Sequence, residues 1–261
     1  MGKGSAVRGA IRWTREAYSV FAAHRATSLA GMLVFFLIMS LVPFLFWLTL
    51  LFGDAEGLFE KVLALELFGW ARELILFLRD NAQGATAGAG IVLLATTLWS
   101  SSAFFYHLRR SGEIVYDRTH EKGWRVRVLA ILMTFAVLLF FSAAGGLFAF
   151  LAFAVRALHP AVRYASVYSA ALLLGFFAAW LLNIYICPYP HSARRLALGS
   201  LLTALAWLAA SALFSVYLTF SDKEKLYGAL ALVIVFFLWL YWLMICFMAG
   251  VIYNKRRLKG E

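Results

Sequence analysis

Negative charge is scarce in this chain: 13 Asp and Glu among 261 residues, and not one Asp, Glu, Lys or Arg inside its long apolar runs. Proton relays and ion-coupled carriers keep costly ionisable groups inside their spans, so this absence argues against an ion-driven pump. Cysteine is nearly missing as well. Two isolated thiols, Cys187 and Cys246, cannot form a zinc site by themselves and read as packing residues. Only 4 prolines interrupt the chain, which predicts mostly unbroken helices. No GxxxxGK[ST] loop is present, so the chain is not an ATPase on its own. Nor does it show the ten-residue alternation of a transmembrane β-barrel.

What is present is apolar surface. Hydrophobic residues make up 64% and charged residues 14%, with a mean hydropathy of +0.83, whereas soluble domains use roughly 45–50% apolar residues. The predicted fold class is all-α, a polytopic membrane protein. Windows long enough to cross hydrocarbon, about 20 residues each, fall near 28–52, 88–108, 128–155, 166–187, 196–220 and 226–254. Six spans in one membrane domain over 1–261 are expected. The segment 1–27 is basic and amphipathic without the compact core and cleavage site of a signal peptide. It reads as a surface helix with Val7, Ile11, Tyr18 and Phe21 toward lipid. Between the first two spans, Leu58, Phe59, Val62, Leu63, Trp70, Leu74, Phe77 and Leu78 recur near helical spacing among charged residues. That pattern predicts amphipathic helices on the opposite membrane surface, as a lid or a gate.

Orientation follows from the basic residues. With the N-terminus inside, 17 of the 24 Lys and Arg fall in inside segments, which carry a net +12, while the outside segments carry −1. This partition matches the positive-inside rule with both termini cytoplasmic. The basic excess then faces anionic lipid heads, and no nucleic-acid partner is needed to explain it.

The stretch Trp99–Asp117, WSSSAFFYHLRRSGEIVYD, places hydroxyls, an imidazole, arginines and a carboxylate close together. Helical geometry separates them. Ser100, Ser101 and Ser102 fan over roughly 200°, and His107 lies two turns, about 10 Å, beyond Ser100, so no hydrolase triad forms. Glu113, Asp117, His120 and Glu121 have spacings that a short helix would bring together as nuclease ligands. Six basic residues in the same loop favour a solvated, ion-paired helix instead. Small residues recur at helical spacing in three runs: Thr96, Ser100, Ala103 and His107; Ser142, Gly145, Ala149 and Ala152; Gly199, Thr203, Ala206 and Ala210. In lipid such stripes mark close helix contacts. Pro43 predicts a kink in the first span, with Ser40 placed to help satisfy the freed backbone.

Five segments carry a family resemblance: SLAGMLVFFLIMSLVPFLFWL at 28–48, the WSSS-led stretch 99–116, LLNIYICP at 181–188, WLAASALFSVYL at 207–218, and YGALALVIVFFLWLYWLMICFMAG at 227–250. In order and spacing they resemble the YihY/virulence factor BrkB family over nearly the whole chain. Where that family commonly shows Gly-Ala-Glu near the end of the last span, this chain has Gly250, Val251 and Ile252, and Phe35 and Phe36 stand where tyrosines are frequent. The resemblance implies a bacterial cytoplasmic-membrane protein without cofactor. It sets three readings side by side: an envelope lipid transport or homeostasis protein, a non-catalytic scaffold, and a tRNA-processing ribonuclease, the last a label regarded as misassigned within that family.

For a passive or partner-driven lipid path the candidate polar groups are Ser100, Ser101, Arg109, Arg110, Asn183, Tyr185, Arg194, Arg195, Ser211 and Tyr217, with Trp207, Phe214 and Tyr217 sharing one wall of a helix. Each also has a plainer role, as helix contact, interface aromatic or topology anchor.

Overall fold

In the computed structural model, residues 22, 25–52, 87–118, 121–154, 159–189, 193–220 and 228–259 are described. The surface helix expected over 1–27, save its last residues, and the amphipathic helices of the first long connection lie outside them. The described chain is helical, with no strand among those residues. Among the described residues seven α-helices follow one another: α1 (Ala26–Phe52), α2 (Ala87–Ser101), α3 (Ala103–Val115), α4 (Gly123–Ala154), α5 (Pro160–Ile186), α6 (Ala197–Phe220) and α7 (Gly228–Lys259), with a 3-10 turn at Ala193–Leu196 before α6. Four segments of the described residues are long and apolar enough to cross a membrane: Gly123–Leu147, Ala161–Ile186, Ala193–Val216 and Ile234–Leu258; Ala26–Ser40 is a shorter apolar helix. α1 runs on as helix through Pro43 to Phe52.

The second apolar run differs from its expected limits. It continues as helix past Leu108 to Val115 and is interrupted at Ser102. The cause is a hydroxyl from another helix. Ser40 Oγ of α1 lies 3.1 Å from the Phe104 amide and accepts its hydrogen, and it sits 3.2 Å from the Ser100 carbonyl, the group that amide would have bonded in a continuous helix. A side chain inserted into the i→i−4 ladder bends a helix. The single hydroxyl proton has its shortest acceptor in Phe36 O at 2.6 Å, so Ser40 serves this break and its own helix rather than the backbone freed by Pro43.

Packing partners run in a ring: α1 on α2, α2 on α4, α4 on α5, α5 on α6, α6 on α7 and α7 on α1, while α3 touches α1, α2, α4, α5 and α7. α3 therefore plugs one end of the ring. Its buried face is Phe104, Phe105, Leu108, Ser111, Gly112, Glu113 and Val115. Gly112 has to be glycine, because a Cβ there would run into the Ile186 carbonyl at the end of α5.

Burial is uneven along the bundle. Among the described side chains none on α4 is buried beyond Leu138, none on α5 before Ala179, and none on α6 beyond Ala204. The core thus gathers at the end where α4 and α6 begin and α5 and α7 finish. Towards the other end, Leu139, Phe141, Leu147, Phe150, Leu173, Leu213 and Val216 are exposed, the outward apolar surface of a helix surrounded by hydrocarbon.

The three small-residue stripes fare differently. Gly199 and Thr203 of α6 are buried against α7: Gly250 faces them so closely that a Cβ on it would meet Thr203 Oγ1 and come within 2.7 Å of the Gly199 carbonyl. In α2 the packed face is rotated by one residue from the expected one. Thr97, Ser101 and Ser102 are buried while Thr96 and Ser100 are exposed, because α3 must turn its apolar face inward after the break. In α4, Gly145 is exposed and a Cβ on it would meet nothing within 4 Å, while Ser142 is half-buried; the side chains of Ala149 and Ala152 lie outside the described set.

Candidate functional site

The polar groups of the candidate site converge on the plugged end. Arg109 Nη1 donates to the carbonyls of Tyr185 at 2.5 Å and Cys187 at 3.0 Å, while Nη2 pairs with Glu121 at 2.7 Å. The last carbonyls of α5 have no intrahelical donor, and a cation there also suits the helix dipole. Arg109 is in effect a cap supplied by another helix. The neighbouring Arg110 pairs with Glu113 at 2.7 Å and donates to the Glu121 carbonyl at 3.0 Å. Glu113 is fully enclosed and also accepts the Glu121 amide at 3.0 Å. Burial opposes the charge on Arg110, but the hydrogen bond and charge of Glu113 outweigh it and raise the guanidinium above its ordinary pKa.

Asp117, in the left-handed region at φ 53, turns the chain between α3 and α4 and pairs with the buried Lys255 of α7 at 2.6 Å. Asp adopts that conformation more readily than most residues. The carboxylates once spaced for metal ligation are therefore divided. Glu113 lies on α3, Asp117 in a turn and Glu121 in the connection to α4, and each faces a cation. His120 lies outside the described residues. The set is ion-paired as its charge balance suggested, but Glu113 is buried rather than solvated, and helix α3 ends before Asp117.

A second polar knot joins α5, α6 and α7. Asn254 donates to Asn183 Oδ1 at 3.0 Å and to the Leu196 carbonyl at 3.2 Å, and accepts the Gly199 amide at 3.1 Å. All three asparagine and glycine groups are buried, where unpaired amides would be costly. Asn183 is thus a helix contact. Tyr185 donates to the Phe105 carbonyl at 2.9 Å, and Trp207 to the Leu243 carbonyl at 2.8 Å while stacking near Phe247. Phe214 stacks on Trp239 of α7. Trp207 and Phe214 accordingly face α7 as packing groups; Ser211 is half-buried, and the side chain of Tyr217 lies outside the described set. Ser101 is buried and donates to Leu98 O at 3.0 Å. Arg194 and Arg195 are exposed on the 3-10 turn.

The contacts of three groups were not anticipated from the sequence. His107 stacks on Phe36 with ring centroids 3.5 Å apart. Tyr116 is buried, its phenol pushed above its ordinary range first by burial and then by nearby Cys187. Arg127 lies with its guanidinium carbon 3.7 Å from the Trp99 ring centre and 4.9 Å from that of Tyr106, and donates to Ser102 Oγ at 3.2 Å. The signal for Arg127 was its place at the head of the third apolar run, one residue outside the expected span.

A bundle of long apolar helices, with the ion pairs Arg109–Glu121, Arg110–Glu113 and Lys255–Asp117 at one end, defines a multi-pass helical membrane protein. The profile of the family described as Virulence factor BrkB matches residues 17–258, and the chain belongs to that family. It is similar to the putative ribonuclease-like protein YfkH of Bacillus subtilis (strain 168), 24% identical over 261 residues, covering 88% of this chain and 90% of the relative. It is also similar to a UPF0761 membrane protein of Cronobacter sakazakii (strain ATCC BAA-894), 36% identical over 72 residues, 27% of this chain and 25% of that one. No solved structure matches the chain.

Proposed function

We propose that this protein takes part in envelope lipid transport or homeostasis, offering a passive or partner-driven path to a molecule with an apolar body and a polar head. In this reading it crosses the bacterial cytoplasmic membrane six times with both termini inside, and membrane lipids are its partners. The observation that carries the reading is the division of the bundle. Its buried polar groups, Ser111, Glu113, Asn183, Ser200, Asn254 and Lys255 among them, sit at one end, while α4 beyond Leu138, α5 from Tyr168 to Ala179 and α6 beyond Ala204 hold no Asp, Glu, Lys, Arg or His among the described residues. That gradient follows the polarity of an amphiphile and offers nothing to an ion-coupled cycle.

The test is reconstitution of the pure protein in liposomes carrying a labelled phospholipid, alone and with envelope extract added. Faster crossing of the label supports a lipid path. Crossing at the rate of protein-free liposomes in both arms sinks it and leaves the non-catalytic scaffold. Glu113→Gln has an additional use. RNA degradation that co-purifies with the protein and vanishes in this variant would favour the ribonuclease reading over both.

A further inference from the structure

The cations of the plugged end are not equivalent. Arg109, Arg110 and Lys255 each have a carboxylate at 2.6–2.7 Å. Arg127 has none among the described residues; its bonds go from Nη1 to two neutral oxygens, Ser102 Oγ at 3.2 Å and the Trp99 carbonyl at 3.4 Å. Its other nitrogens carry no hydrogen bond among the described residues, yet they are absent from the buried polar atoms that lack one, which are Arg109 Nε, Tyr116 OH and Trp239 Nε1. They therefore reach the surface as open donors.

Position and surroundings define what would meet them. Arg127 lies four residues into α4, about 6 Å along its axis, in a segment apolar enough to cross the membrane from Gly123 onward. Trp99, 59% exposed, lies under the guanidinium, and Trp124, 65% exposed, precedes Arg127 by one helical turn. Exposed tryptophans at a helix end mark the headgroup level of a bilayer. A guanidinium held flat on an indole keeps its charge, its rotamer is fixed by stacking, and its free N–H edge suits the two oxygens of a phosphodiester.

We propose that Arg127, framed by Trp99 and Tyr106, binds the phosphodiester of a phospholipid in the leaflet at the basic end of the bundle. The site requires a membrane-embedded bundle and does not require that lipid be moved. A null result in the lipid-crossing assay leaves it untouched.

The experiment is native mass spectrometry of the delipidated protein titrated with phosphatidylglycerol. Arg127→Gln should weaken the tightest lipid-binding event about tenfold, which is 1.4 kcal/mol, whereas Arg256→Gln, removing an exposed arginine at the end of α7, should change it by less than about twofold. Arg127→Lys keeps the charge and should still weaken binding, since an ammonium neither stacks flat nor offers two parallel donors. Equal effects of Arg127→Gln and Arg256→Gln, or full binding by Arg127→Lys, would overturn the proposal. Inorganic phosphate separates the two sources of the anion: failure to displace the lipid at equal concentration supports a lipid site, and displacement overturns it in favour of free phosphate.

Discussion

Removing the Arg110 guanidinium should cost more than removing the whole ion pair to which it belongs. Glu113 is completely enclosed, and the donors to its carboxylate include Arg110 Nη1 at 2.7 and 3.0 Å and the Glu121 amide at 3.0 Å. Arg110→Met leaves a buried carboxylate without the guanidinium that pairs with it. Breaking a buried pair by deleting one partner costs about 3–5 kcal/mol, because the surviving charge keeps its desolvation penalty. Replacing both partners by apolar groups removes that penalty together with the attraction, and such exchanges are often neutral. In Arg110→Met/Glu113→Leu the remaining loss includes the Glu121 amide, about 1–3 kcal/mol if no water reaches it. For a chain of this size 1 kcal/mol corresponds to roughly 2–4 °C, so the single variant should melt on the order of 10 °C below the parent, and the double variant by less than half of that. The assay is thermal unfolding of the detergent-purified proteins, followed by tryptophan fluorescence and by retention on size exclusion. A double variant less stable than the single one would refute the reasoning, since it would mean that the pair is worth more than the desolvation of its members.

The break in the second apolar run depends on one hydroxyl: Ser40→Ala strips the Phe104 amide of its acceptor and should lower stability by about 1–3 kcal/mol in the same melting assay, while Ser100→Ala, at an exposed position, should leave the midpoint within the error of measurement. Gly250→Ala forces a methyl group against Thr203 Oγ1 and the Gly199 carbonyl, an overpacking cost of about 1–3 kcal/mol, and pairing it with Thr203→Ala should recover part of that loss. Asn254→Ala orphans the Gly199 amide and should destabilise by about 1–3 kcal/mol, while Asn254→Asp, which keeps an acceptor for that amide but buries a carboxylate against Asn183 Oδ1 and the Leu196 carbonyl, should lose at least as much. Topology has a separate check: an impermeant thiol reagent should label a cysteine introduced at Ala55 in intact cells and spare one introduced at Ser192, and the reverse pattern would invert the proposed orientation.

The membrane class and the helical character could be read from the chain because both depend on local composition. Apolar runs of 20 or more residues have no stable state in water, and hydrocarbon forces the backbone to satisfy itself within each helix. The ion pairing of Glu113 and Glu121 was legible for a similar reason, since six cations in one short loop leave carboxylates little choice of neighbour, whereas Asp117 pairs with Lys255 of α7, far away in the chain. Which cation serves which carboxylate was not legible. Arg109 and Arg110 are adjacent in sequence, yet one caps the end of α5 and the other neutralises Glu113, a division set by helix positions that no spacing encodes. The rotation of the packed face in α2, from Thr96 and Ser100 to Thr97 and Ser101, arises from the break at Ser102. That break is imposed by Ser40, 64 residues away from Phe104 in the chain. The small-residue stripes of α4 and α6 look alike in sequence, and only the arrangement of the bundle places Gly199 against Gly250 and leaves Gly145 facing outward. By itself, then, the sequence determined the membrane class and the helical character, both of which are sums over neighbouring residues. The tertiary structure alone decided which polar groups are neutralised inside and which, like Arg127, remain open at the surface, because that depends on contacts between segments far apart in the chain.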